Sequence, residues 1–191
     1  MNRRQFLTTV SALAGAGLVC FSHQTLGGHD DLRLAVIGLG GKGGQHVERL
    51  SQEPGVRVTA LGEPDPKRLA AHVDKLTQKG MTPFAATDPR RVLERDDVDV
   101  VVIATPNHWH ALLTVWALRA GKDVYVEKTV SRSVEEGARM VEETKRAGRI
   151  VQFGTQYRSC PGLHAAAAWL QEGPSRDCRQ HEPARSLGFA P

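Results

Sequence analysis

Directly behind the apolar run Leu32-Arg-Leu-Ala-Val-Ile37 stands Gly38-Leu39-Gly40-Gly41-Lys42-Gly43, and a helical stretch from Gln45 to Gln52 follows. Few features constrain a chain more. A short apolar run of this length suits a strand buried on both faces of a parallel sheet. The glycine spacing G-x-G-x-x-G then bends the chain from strand into helix. Gly38 permits the tight turn, Gly40 lets a pyrophosphate approach the backbone, and Gly43 lets the helix lie close on the strand. The helix start faces such a pyrophosphate with free amide donors. Taken alone the pattern is weak, because glycine-rich turns are common, so the rest of the chain has to supply its context.

It does so by alternation. A second strand, Val56 to Leu61, ends in Gly62-Glu63-Pro64-Asp65 and leads into a helix from Pro66 to Lys79. After a short segment, Pro83 to Ala86, come a helix from about Pro89 to Arg95 and a strand from Val100 to Ala104. That strand opens onto Thr105-Pro106-Asn107-His108-Trp109-His110 and a helix through Leu118, closed by Gly121. A strand Asp123 to Glu127, a helix Val134 to Ala147 and a strand Arg149 to Phe153 complete the series. Strands and helices alternating at this pitch predict an α/β fold with a doubly wound parallel sheet.

Ligands in such sheets bind beyond the carboxyl ends of the strands. The glycine turn with Gly38, Gly40, Gly41 and Gly43, then Glu63, then Thr105 to His110, Glu127-Lys128 and Gly154-Thr155-Gln156 all fall at that edge. Glu63 lies 20 residues after Gly43, where a Rossmann fold places the carboxylate that accepts hydrogen bonds from the adenosine ribose. Its charge favours NAD; Lys67 and Arg68 just beyond keep NADP open. Glu63 and Asp65 also read as ordinary turn and capping acids before a helix. His108 and His110 read as helix-entry residues, and their spacing on different faces argues against a shared metal. Trp109 and Trp116 read as packing groups.

The segments Ala104-Thr-Pro-Asn-His-Trp-His110 and Gly121-Lys-Asp-Val-Tyr-Val-Glu-Lys128 resemble the Gfo/Idh/MocA family of glucose-fructose oxidoreductases and inositol dehydrogenases, over about residues 32 to 173. The resemblance implies a Rossmann domain over residues 32–156 and a nicotinamide cofactor. It also implies a small-molecule sugar or polyol as substrate. Lys128 takes the place of the family lysine beside the nicotinamide, where it orients the alcohol and shares its proton. The resemblance implies Thr105, Pro106, Asn107 and His110 as cofactor neighbours, and Glu127 and Gln156 are expected to join them by their place at the same sheet edge. Three departures stand out. Glu63 replaces a common Asp, Thr129 replaces a motif proline and so removes a rigid turn after Lys128, and residues 157–173 reach only the start of the family's second domain. A catalytically inactive nucleotide-binding module is therefore the alternative expectation.

The ends read differently from the middle. Arg3-Arg4 before an apolar stretch from Phe6 to Phe21 resembles a twin-arginine export signal, so residues 1–31 are expected to be an address for the periplasm. The stretch is short and diluted for a stable membrane span. Residues 174–191 show neither helical nor strand periodicity; a frameshift or premature stop near Gly173 is expected, and a natural tail of low hydrophobicity reads the same. The formal charge is +4, with basic residues scattered among acids rather than gathered on one face, which argues against a nucleic-acid partner. Cys20, Cys160 and Cys178 form no paired motif, so neither a zinc site nor a disulfide framework is expected. Oligomerisation is left open.

Overall fold

The computed structural model describes residues 31–172, with side chains through Trp169. The expected leader, and the tail from residue 173 onward, lie outside the described residues. The chain divides between Thr155 and Gln156 into two units.

The first unit alternates β1 (Leu32–Ile37), α1 (Gly41–Leu50), β2 (Val56–Gly62), α2 (Pro66–Gln78), β3 (Phe84–Ala86) and α3 (Pro89–Leu93). It continues with β4 (Val100–Ile103), a 3-10 turn (Asn107–Trp109), α4 (His110–Arg119), β5 (Asp123–Val126), α5 (Val134–Ala147) and β6 (Val151–Phe153). The six strands form one sheet in the order β3-β2-β1-β4-β5-β6, and every pair is parallel. This is the doubly wound α/β sheet that the alternation predicts.

Register matters most for function. Ile37 pairs with Gly62 and Ile103, Gly62 with Ala86, Ile103 with Val126, and Val126 with Phe153. All six strands thus end in one row, and the residue after each end meets the same edge. Gly38, Glu63, Ala104, Glu127 and Gly154 are brought side by side in this way.

Central β4 is buried along its whole length, as a strand covered on both faces must be. Helix α4 buries His110, Ala111, Leu113, Thr114, Val115, Ala117 and Leu118, so it is an interior helix apolar on most sides. By contrast α1 buries only Gly43, Val47 and Leu50, one stripe at helical spacing. Helix starts follow the sequence signals: Asp65 accepts from the Lys67 and Arg68 amides at the head of α2, Asp88 from Arg90 at α3, and Ser133 from Glu136 at α5, each satisfying an otherwise unpaired donor.

Most bounds shift by one or two residues, as at the end of α3 (Leu93 rather than Arg95) and the start of β6 (Val151 rather than Arg149), and two larger departures have a physical cause. Helix α1 begins at Gly41, inside the glycine run, because Gly43 is pressed against the Gly38 carbonyl and close packing overrides weak glycine propensity. The segment near Pro83 becomes strand β3, paired to β2 over three residues, too short for any periodicity to declare.

The second unit opens with a 3-10 turn at Gln156–Ser159 and continues as α6 (Pro161–Glu172). The His164 ring nitrogen meets the Arg158 carbonyl at 2.6 Å. Leu163 and Trp169 are exposed.

Candidate functional site

The glycine turn has one closed side and one open side. A Cβ at Gly43 would lie 1.7 Å from the Gly38 carbonyl oxygen, and one at Gly38, whose φ is +88°, would lie 2.8 Å from the Thr105 nitrogen. At Gly40 and Gly41 a Cβ would meet nothing within 4 Å. The open side lies at the head of α1, where Gly40 offers no side-chain cap and the first turn holds no acid. An uncapped ten-residue helix start with bare backbone is suited to an anion.

Glu63 is buried beside this turn. One carboxylate oxygen accepts the Leu39 amide at 2.7 Å; the other accepts the Asp65 amide at 3.2 Å and the Arg68 guanidinium at 3.0 Å. The carboxylate therefore braces the turn as well as facing the edge, and half-exposed Arg68 partners it. A cavity of about 470 Å³ opens here, walled by Gly40, Glu63, Arg68, Pro89, Pro106 and Trp109. Its mainly apolar walls suit a flat nucleobase, and the carboxylate at its side suits a ribose diol. The residues present fit a dinucleotide.

Next along the edge, Thr105 and Pro106 line the same cavity. Asn107 opens the 3-10 turn and is exposed. The Thr105 hydroxyl is buried with no partner among the described residues. His110 is fully buried, its Nδ1 2.6 Å from the Thr129 carbonyl and its Nε2 2.8 Å from the Thr105 carbonyl. The ring therefore lies within hydrogen-bond reach of one carbonyl on each side. The expected cofactor neighbour thus stands as a brace between the β4 loop and the segment after Lys128.

Beyond β5, Glu127 is buried and Lys128 exposed, and the Lys128–Thr129 peptide is cis. The Glu127 carboxylate meets the His46 ring at 2.8 Å, the Tyr125 hydroxyl at 3.4 Å and the Lys128 amide at 3.3 Å. The His46 bond holds the carboxyl below its usual range against the opposing effect of burial. Burial beside Glu127 pushes the Tyr125 hydroxyl up, so it stays a neutral donor.

The structure therefore brings Gly38, Gly40, Gly41, Gly43, Glu63, Thr105, Pro106, Asn107, His110, Glu127 and Lys128 to one sheet edge. Gln156 opens the second unit and is described there. Trp109, read from sequence as a packing group, is a cavity wall, and it also meets Trp116 edge to face at 6.5 Å. His46 was not singled out in the sequence; the available signal was its place beside the buried stripe of α1, one residue before Val47.

Residues 32–155 match the Gfo/Idh/MocA oxidoreductase family, described as having an NAD-binding Rossmann fold. The chain is 31% identical over 143 residues to the scyllo-inositol 2-dehydrogenase (NAD(+)) of Bacillus subtilis, covering 74% of this chain and 41% of that one. It is 31% identical over 122 residues to a glycosyl hydrolase family 109 protein of Shewanella pealeana, covering 61% and 27% respectively. Among solved structures, the myo-inositol 2-dehydrogenase of Lactobacillus plantarum superposes with a TM-score of 0.66 at 25% identity, over 74% of this chain and 41% of that one. The chain spans less than half the length of these relatives.

Proposed function

The chain belongs to the oxidoreductase family with an NAD-binding Rossmann fold, and on that premise we propose that it is the cofactor-binding part of an exported oxidoreductase acting on a sugar or polyol. The observation that carries the cofactor half is Glu63, bonded at 2.7 Å to the Leu39 amide of the glycine turn while walling the cavity. One carboxylate thereby shapes the phosphate turn and offers its edge to a ribose diol. Gly40 and Gly41 leave room for the pyrophosphate against the first turn of α1. Arg68, 3.0 Å from Glu63, supplies a cation for a 2′-phosphate, so NADP remains within reach of the same pocket.

When bound, nicotinamide would supply a hydride acceptor for the carbon bearing a substrate hydroxyl. Lys128, exposed at the same edge, would hold that hydroxyl and take its proton at Nζ, returning it in the reverse direction. His110 and Glu127 fix the backbone on either side of this lysine. The sugar or polyol substrate is supported by the two inositol dehydrogenases the chain resembles.

Export is proposed on Arg3, Arg4 and the apolar stretch behind them. A reporter fused behind residues 1–31 should reach the periplasm and stay inside when both arginines become lysine; delivery that ignores those arginines rejects the twin-arginine route.

The test of the main reading is NADH and NADPH fluorescence titration of the purified chain, followed by turnover with a panel of sugars and polyols. Gly40→Asp and Glu63→Ala should each weaken binding. Unchanged affinity in both, with folding intact, would sink the pocket assignment. Binding with no turnover across the panel would leave nucleotide binding as this chain's own activity.

A further inference from the structure

Next to Lys128, a side chain from the first helix meets two from the end of one strand. His46 comes from α1, Tyr125 from β5, and Glu127 from the residue after β5. The His46 ring nitrogen lies 2.8 Å from one Glu127 oxygen, and the Tyr125 hydroxyl 3.4 Å from the same oxygen. The rings of His46 and Tyr125 meet edge to face at 5.4 Å. Gly154, after β6, closes the cluster: a Cβ there would lie 2.7 Å from the Tyr125 hydroxyl and 3.0 Å from Glu127.

A carboxylate only 4% exposed is costly unless paired and hydrogen-bonded. His46 supplies a hydrogen bond at 2.8 Å, and the Lys42 charge on the same helix favours the ionised form. With one oxygen committed to His46 and Tyr125, the other is aimed at the Lys128 amide, 3.3 Å away. The chain of contacts therefore runs from α1, whose start is open to a pyrophosphate, through a buried carboxylate, to the backbone of the lysine.

We propose that His46 is a positioning residue that acts through Glu127 to fix the backbone of Lys128 against the helix of the dinucleotide site. This rests on the reading of Lys128 as the proton-handling group. A buried His-Glu pair with no such role would steady the whole sheet evenly; a positioning pair acts on one segment. That difference can be measured.

The experiment is amide hydrogen exchange on the full chain, comparing wild type with His46→Leu, which fills similar volume without a donor, and His46→Gln, which keeps one. Exchange at the Lys128 amide, the one Glu127 accepts, should accelerate about tenfold or more in His46→Leu, as loss of ~1.4 kcal/mol of bonding implies. Strand β1 should be unchanged, and His46→Gln should restore much of the protection. Equal acceleration in both variants, uniform acceleration across β1 and β4, or none at all overturns the proposal. Should His46→Leu fail to fold, the ring ¹⁵N shift of His46 in wild type, compared with Glu127→Gln, decides: an unchanged shift overturns it. NADH titration of the same preparations separates the two readings, since absent binding by wild type would sink the dinucleotide site while the exchange result still judges His46.

Discussion

Adding one methyl group at Gly43 places a Cβ 1.7 Å from the Gly38 carbonyl oxygen, and that neighbour is backbone held by β1 and by the Gly62 carbonyl. Nothing there can swing away. Gly43→Ala should therefore cost about 3 kcal/mol or more, lowering the melting temperature by roughly 10 °C, as thermal unfolding by circular dichroism would show. The same methyl group at Gly40 meets empty space, and the backbone there is at φ −65°, which any residue adopts. Gly40→Ala should keep stability within about 1 kcal/mol yet weaken NADH binding by about tenfold, ~1.4 kcal/mol, because the methyl occupies the pyrophosphate's approach. A Gly40→Ala chain that binds NADH normally would mean the open side of the turn is not the phosphate seat. The distinct duties of these two glycines were legible in the sequence because G-x-G-x-x-G is a backbone rule. The bracing duties of His110 and His46 were not, because each depends on which carbonyl or carboxylate the fold delivers to a ring from 19 to 81 residues away.

Elements follow the same division between local and long-range causes. The helix α5 (Val134–Ala147) matches its expected bounds, because both ends carry local signals: Ser133 caps the start by accepting the Glu136 amide, and Gly148 closes the end at φ +63°. Ser133→Ala should destabilise the chain by about 1 kcal/mol, read as a shift in urea midpoint with unchanged slope; a neutral result would mean that packing of α5 alone sets its start. Strand β3 has no such signal. Three residues pair with β2, and only the neighbouring strand makes them a strand. The glycine-rich start of α1 was hidden for the opposite reason, since local propensity argues against a helix that close packing on the turn enforces.

At the scale of the whole described chain, Glu143 ties two helices together through three arginines. It is buried on α5 and meets Arg119 of α4 at 2.6 Å and Arg146 at 2.6 Å, with Arg139 at 3.6 Å. The bonds to Arg119 and Arg146 hold its carboxyl down to about 2. Glu127 and Asp99 are likewise held below their usual range, by His46 and Arg33. A carboxyl whose value is lower when folded than when unfolded adds stability that is complete above the ordinary carboxylate range of about 4.3 and is lost as pH falls toward the folded value. The chain should therefore be stable from neutral pH down to about 5 and lose stability steeply below that. Exposed pairs such as Arg90–Asp88 add little to that slope, because solvent screens them. In Glu143→Gln the loss should appear at neutral pH, where three arginines face an uncharged partner, and the acid limb of stability against pH should flatten, so that the two curves converge toward pH 2. Urea unfolding at several pH values makes the comparison. Parallel curves, offset by a constant at every pH, would show that Glu143 acts by packing rather than by charge, and the acid lability would then have to come from Glu127 and Asp99.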